Sequence, residues 1–277
     1  MNWAEIRHNP RALVGASILL VFILMALLAP VIVPYSPTYI LFTPNLAPSA
    51  HHLLGTTVNG QDIFSQLIWG TRESLFVGFI CATLICLIQL VMGVFAGYVG
   101  GVFDIVATGI TNVFLVLPSL PLLIILAAYL QGGSVFVLIA VIVVTGWAWG
   151  AKVLRAQAIA LRDRPFIQAA RVSGESRWHI VLTHVVPNML GIIFSNFFGA
   201  ALFSVLAEAG LEFIGLGNIN DVTWGTMLYW AQEGQAILLG EWVWLLVPGL
   251  CLALLGTAFG LLNFAVDEIA NPRLRRT

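Results

Sequence analysis

The sequence predicts an all-α, polytopic membrane protein with six transmembrane helices. Three observations predict it. Hydrophobic residues make up 60% of the 277-residue chain and charged residues only 9%, against about 25% charged in an ordinary soluble domain. Six apolar stretches reach the roughly 20 residues needed to cross a hydrocarbon core. The basic residues fall almost entirely on one side of those crossings. Twelve Lys+Arg and thirteen Asp+Glu cannot coat a soluble globule of this length. A cytosolic enzyme, a nucleic-acid binder and a disordered chain are thereby excluded.

The first stretch, residues 12–33, follows Arg7 and Arg11. It is longer than the roughly 7–15 residues of a signal-peptide core, and no A-x-A site follows, so it reads as an uncleaved span. A Pro- and Gly-rich outer loop covers 34–74. The second span, 75–97, ends in a tight turn at Gly100-Gly101. The third, 105–130, carries Pro118 and Pro121, which allow a kink lining the solute pathway. A turn at Gln131-Gly132-Gly133 leads to the fourth span, 135–151, which becomes polar at Lys152. Residues 152–188 form a long basic loop. The fifth span, 189–207, is followed by an outer loop, 208–241, and the sixth span, 242–266, by a tail, 267–277.

Six crossings place both termini on one side. With that side cytoplasmic, Arg7, Arg11, Lys152, Arg155, Arg162, Arg164, Arg171, Arg177, Arg273, Arg275 and Arg276 lie inside and only Arg72 outside. Inside acids are Glu5, Asp104, Asp163, Glu175, Asp267 and Glu268; the other seven belong to the outer side. A near-neutral total therefore hides two faces of opposite sign.

No catalytic constellation emerges. The chain has no phosphate-binding G-x-x-x-x-G-K-[ST] loop, no H-E-x-x-H and no G-x-S-x-G. Cys81, Cys86 and Cys251 lie in apolar runs and read as small buried hydrophobes. The pair His51-His52 reads as solvated, and His179 and His184 as surface positions. Few ionisable groups lie in mid-span, which disfavours an ion relay or an ion-coupled carrier. If the chain moves solute uphill, the energy comes from a partner.

The basic loop carries the most information. It reads R-P-F-I-Q-A-A-R-V-S-G-E-S-R-W-H-I-V-L-T-H-V-V-P-N from Arg164. Pro165 suits a helix N-terminus, and Gly174 a left-handed stop. Ser173 or Ser176 caps a second helix, and Phe166, Ile167, Ala170 and Val172 supply an apolar patch. Two short helices around a glycine bend result. From physics alone the hairpin either docks in a groove of another protein or lies on anionic headgroups.

This segment resembles the "EAA" loop of ABC importer membrane subunits, E-A-A-x-x-x-G followed by I and L-P. Gln168-Ala169-Ala170, Gly174, Ile180 and Val186-Pro187-Asn188 fall at its spacing, with Gln168 and Val186 replacing the usual Glu and Leu. Residues 53–75 resemble the outer-loop signature of the dipeptide/oligopeptide/nickel permease family through Gly55, Thr56, Gly60, Asp62, Ser65, Gly70, Arg72 and Ser74. Thr57, Gln61 and Gln66 depart from it, losing one acid and two arginines. A-G-Y-V-G-G-V-F-D (96–104), E-A-G-L-E-F-I-G-L-G (208–217), Trp224-Gly225 and Pro248-Gly249-Leu250 are similar to further family motifs. The resemblance covers nearly the whole chain, with a core domain at about 73–270, and points to the C-type member of the permease pair.

The resemblance implies a type I ABC importer permease fold in a bacterial or archaeal cell membrane. It implies a second homologous permease, two cytoplasmic ABC ATPases and an extracytoplasmic solute-binding protein as partners. ATP and Mg would sit on the ATPases, with no cofactor on this chain. Arg164, Phe166, Gln168, Ala169, Ala170, Arg171 and Gly174 would couple to an ATPase, so that Gly174→Asp or Ala170→Glu should abolish uptake while sparing insertion. Glu208, Glu212, Trp224 and Pro118 are candidate pathway or gate residues. Glu208 is either hydrogen-bonded to neighbouring backbone or in contact with solute. The stretch 218–241, with Trp224, Tyr229 and Trp230, is either an outer gate or binding-protein dock, or an interfacial anchor. Gly55, Asp62, Arg72, Gly100 and Gly101 are structural, with an Asp62–Arg72 ion pair expected. The solute stays open: a peptide or an oligosaccharide-like molecule first, with nickel or another small solute not separated from them by the sequence.

Overall fold

The computed structural model describes residues 9–130 and 134–270; the Gln131-Gly132-Gly133 turn, Arg7 and the basic tail lie outside them. Among the described residues every regular element is a helix, apart from one isolated bridge between Thr56 and Asp62. Four helices are long and apolar enough to cross a membrane: α1 (Pro10–Ile32), α2 (Ile63–Val99), α8 (Arg177–Phe213) and α10 (Trp242–Ala270). Two bent pairs bring the count up to six: α3 (Gly101–Val116) with α4 (Ser119–Tyr129), and α5 (Val135–Gly146) with α6 (Ala148–Arg162). The remaining helices are α7 (Pro165–Val172) and α9 (Trp224–Glu233).

Local chemistry accounts for the boundaries. Asn9 caps α1, its Oδ1 accepting the Arg11 and Ala12 amides at 2.9 and 3.3 Å, ahead of Pro10. Helix α2 starts at Ile63, twelve residues before the expected span. Asp62 Oδ2 accepts the Ser65 amide at 2.8 Å and the Ser65 hydroxyl at 2.6 Å, so a strong cap begins the helix in the polar stretch. The helix loosens to π geometry over Leu90–Phe95 and ends at Gly100. Gly100 and Gly101 have φ of +70° and +67°. Two consecutive left-handed residues require glycine at both places.

The bends have different causes. Leu117 is extended ahead of Pro118, as a residue before proline must be, and α3 and α4 meet at 92°. Pro121 contributes nothing to that bend, because it falls in the first turn of α4, where proline is tolerated. The 45° bend between α5 and α6 lies at Gly146-Trp147 without a proline. Trp147 is buried there and packs on Phe114 at 5.3 Å.

Two clusters hold the chain together. The larger joins α1, α2, α5, α8, α9 and α10 around Phe22, Ile85, Trp224, Trp244 and Phe259. The smaller sits at the arginine-rich end, around Val94, Tyr98, Leu154, Ile167, Ile180 and Val185. Outward-facing Leu27, Val31, Ile105 and Val116 are each more than 70% exposed. In water that would be an aggregation surface; in lipid it is a solvated one.

Candidate functional site

The two ends of the bundle are built differently. At the basic end, α7 and the start of α8 meet at the expected glycine bend, but the second helix is not a separate short one: it runs on from Arg177 through Pro187 into the fifth span as α8. Helix α7 closes with the Gly174 amide donating to Arg171 O (3.1 Å) and the Glu175 amide to Ala170 O (3.2 Å). This is a Schellman closure, and it places Gly174 at φ +81°. Ser176 Oγ then accepts the His179 amide at 3.3 Å and caps α8.

Several polar groups around this hairpin are paired. Arg155 grips Asp104 with two bonds, Nε to Oδ1 at 2.5 Å and Nη2 to Oδ2 at 2.7 Å, tying α6 to the start of α3. Arg171 Nε donates to the Tyr98 hydroxyl at 3.2 Å, and its guanidinium lies 5.1 Å from the Tyr98 ring centre. His184 Nε2 lies 3.0 Å and His179 Nε2 3.7 Å from Glu175 Oε2, so both histidines approach one carboxylate just after the bend; His179 is an exposed surface position, as expected, and His184 is partly buried.

The hairpin has an inner and an outer face. Ile167 and Ala170 are buried in the chain's own small cluster, whereas Phe166 is 43% and Val172 90% exposed. Gln168 and Ala169 also point outward, and Gln168 Nε2 reaches Asp163 O at 3.3 Å. The expectation that Ala170 packs on a partner is therefore corrected. The apolar patch divides, one half being core, and Ala170→Glu would break this chain's own packing.

At the acidic end, the loop 34–62 folds back on the start of α2. His52 is buried between Tyr35 and Phe42, with ring centres 5.3 and 4.5 Å away, and its Nδ1 is 2.9 Å from Asp62 Oδ1. The expectation of a solvated pair therefore fails for His52. The expected Asp62–Arg72 pair is absent as well. Ten residues of helix separate them by about 15 Å along the axis, Asp62 is engaged by His52 and Ser65, and Arg72 lies 5.4 Å from the Trp69 ring centre. Gly55 makes its turn at φ +84° in this loop.

Glu208 and Glu212 lie one turn apart on α8, and both are buried. Glu212 accepts a short hydrogen bond from Thr223 Oγ1. Thr223 also caps α9 in a reciprocal pairing with Thr226. Glu208 is fully buried with no hydrogen-bond partner for either oxygen. Ser74 lies beside it; its Oγ accepts the Trp224 amide at 3.4 Å, which leaves the hydroxyl proton free to turn toward Glu208. The expected bond from Glu208 to backbone is not made. Glu241, just ahead of α10, likewise has no partner for either oxygen, and burial pushes its carboxyl above the usual carboxylate range. Trp224 is a core residue in this chain. It is fully buried, donates Nε1–H to Leu67 O at 3.2 Å and packs edge-on to Phe22. Trp230 donates to Ile219 O at 2.9 Å and sits against Tyr229.

Residues 89–276 match the family described as binding-protein-dependent transport system inner membrane component. The dipeptide transport system permease protein DppC of Bacillus subtilis (strain 168) is 33% identical over 277 residues, 99% of this chain and 85% of the relative. The chain belongs to that inner membrane transport family. Residues 1–49 match the N-terminal TM domain of oligopeptide transport permease C. The oligopeptide transport system permease protein OppC of the same organism is 31% identical over 274 residues, covering 98% of this chain and 88% of its own length. The probable D,D-dipeptide transport system permease protein DdpC of Escherichia coli (strain K12) is 29% identical over 270 residues, covering 97% and 89%.

As a member of this permease family the chain is a multi-pass membrane protein. Its fold brings Arg164, Phe166, Gln168, Ala169, Arg171 and Gly174 together in one hairpin, and Glu208, Glu212 and Thr223 together at the opposite end. Pro118 stands apart from both, at the α3–α4 elbow. Sequence reasoning missed the Arg155–Asp104 grip and the Tyr98–Arg171 contact. Both acceptors lie in the A-G-Y-V-G-G-V-F-D stretch, but nothing in its spacing says which arginine reaches it.

Proposed function

We propose that this chain is one transmembrane subunit of an ATP-driven importer that takes up peptides. It would work beside a second, homologous permease. Two ATPases would bind ATP and Mg at the basic, cytoplasmic end, and an extracytoplasmic binding protein would deliver cargo at the acidic end. The chain itself would carry out no catalysis and hold no cofactor. Peptide cargo is favoured over an oligosaccharide because the similar relatives are named as dipeptide and oligopeptide permeases.

The single observation that carries this reading is the two-faced hairpin. Its inner face is fused to the chain's own core through Ile167, Ala170 and Ile180. Its outer face bares Phe166, Ala169, Val172 and the head of Arg164. A push on the outer face reaches α2, α6 and α8 as a rigid-body movement, because the bend is closed by its own backbone bonds. ATP-driven closure of the ATPase pair would supply the push, and the bundle would rock between inward- and outward-open states.

Phe166→Asp tests this. The variant should reach the membrane at wild-type level, lose co-purification with the ATPase and take up dipeptide at less than about one-tenth of the wild-type rate, a loss equivalent to at least about 1.4 kcal/mol. Wild-type uptake by Phe166→Asp, or uptake by the purified chain alone in vesicles, would sink the coupling role.

A further inference from the structure

A cavity of about 380 Å³ opens at the acidic end, between α2, α5, α8 and the loop ahead of α9. Trp69, Phe76 and Leu138 form its apolar wall, and Glu73, Glu208, Glu212 and Asp221 line the rest. No Lys or Arg lines it among the described residues; Arg72, stacked on Trp69, is exposed and is not one of the lining groups.

The four carboxylates are not equivalent. Glu212 is engaged by Thr223, and Asp221 Oδ1 accepts from Asn218 Nδ2 at 2.9 Å. Glu73 is half-buried. Glu208 is fully buried and lacks any hydrogen bond, although it lines the cavity. A buried carboxylate without a donor is costly. A charged donor entering the cavity relieves that cost. Among the described residues no cluster of His, Cys, Asp or Glu has the geometry to hold a metal ion. A compact dication would also leave the apolar wall unused. An alkyl-ammonium uses both halves: its three N–H donors satisfy carboxylates, and its carbon body packs on Trp69 and Phe76.

We propose that this cavity binds a primary ammonium group carried on a small organic solute, with Glu208 as the buried counter-ion and Glu73 at the entrance. This rests on the importer reading only in that the solute must pass this end of the bundle. It assigns to that solute a protonated amine.

The test uses membranes holding the full chain in whatever assembly it forms. A hydrophobic carbodiimide activates buried carboxyls, and the peptide bearing Glu208 is followed by mass spectrometry, counting as labelled both the N-acylurea and the n-butylamide that the free amine forms with release of the urea. Added n-butylammonium should slow Glu208 labelling by about tenfold or more, equivalent to about 1.4 kcal/mol of protection. n-Butanol, and sodium at equal ionic strength, should not. Glu73→Gln should weaken the protection several-fold while leaving labelling of the unprotected chain intact. Equal protection by butanol, equal protection by sodium, or no protection would each overturn the proposal.

If the carbodiimide does not reach Glu208, equilibrium dialysis of radiolabelled n-butylammonium against the full chain in lipid nanodiscs decides. Saturable binding that Glu208→Gln abolishes supports the site, and its absence overturns it. Neither assay needs an ATPase. Protection without ATPase capture would leave the cavity standing and sink the importer reading; capture without protection would do the reverse.

Discussion

The basic end and the acidic end of this bundle differ in whether every buried carboxylate finds a partner. At the basic end, Asp104, Arg155, Arg171, Glu175 and His184 all find partners, and the hairpin closes its own backbone. At the acidic end Asp62 and Glu212 are partnered too, but Glu208, on the cavity wall, has no hydrogen-bond partner for either oxygen. A satisfied network is stiff, and removing any member leaves another stranded. An unsatisfied acid is a standing cost, tolerable where a ligand or a proton visits. The contrast matches the roles proposed above, force transmitted at one end and cargo received at the other.

The sharpest way to break that comparison is to delete one acid from each end. Asp104→Ala strands Arg155 and should lower stability by about 1.5–3 kcal/mol, read as a lowered melting temperature in detergent. Arg155→Ala added to it should cost much less than a second such loss. Glu208→Leu should act in the opposite direction and raise stability by about 1–3 kcal/mol, because it removes a buried group that has no partner. A destabilised Glu208→Leu chain would show that the acid is held by something the contrast omits.

Smaller changes sharpen it. Gly174→Ala forces a Cβ into left-handed backbone at a cost of about 1–2 kcal/mol. No atom lies within 4 Å of that Cβ position, so the loss should come from strain alone. Gly174→Asn should recover part of it, since asparagine tolerates that conformation. Smallest is Arg72→Ala. Its cation–π contact is exposed, and melting should move by less than about 1 kcal/mol; a larger loss would restore the ion pair that Asp62 does not make here.

The spans were legible because lipid imposes a crude requirement, about 20 apolar residues each. The hairpin was legible because Pro165, Gly174 and Ser176 each allow few backbone conformations. What hydropathy could not decide was which half of the patch faces inward. Ile167 and Phe166 are equally apolar, and only the packing of α2 and α6 separates them. The start of α2 was set by the Asp62 cap, a signal weaker than the apolar run after it. The 45° bend at Gly146-Trp147 carries no proline to announce it. Glu208 was visible as an acid near a span end, but the absence of a donor is a property of its three-dimensional neighbours.

The elbow at Pro118 has a consequence for where the molecule can live. Pro118 offers no N–H to the carbonyl of Phe114, four residues back, and Leu117, Pro118 and Ser119 are all exposed on the isolated chain. Bare hydrocarbon penalises an unbonded carbonyl by several kcal/mol. At about 24 Å and 17 Å, neither limb is long enough to reach across a bilayer unaided. A right-angled corner of this kind is therefore habitable only where moisture or another polypeptide meets it, and the bundle carries in its own backbone a requirement for company.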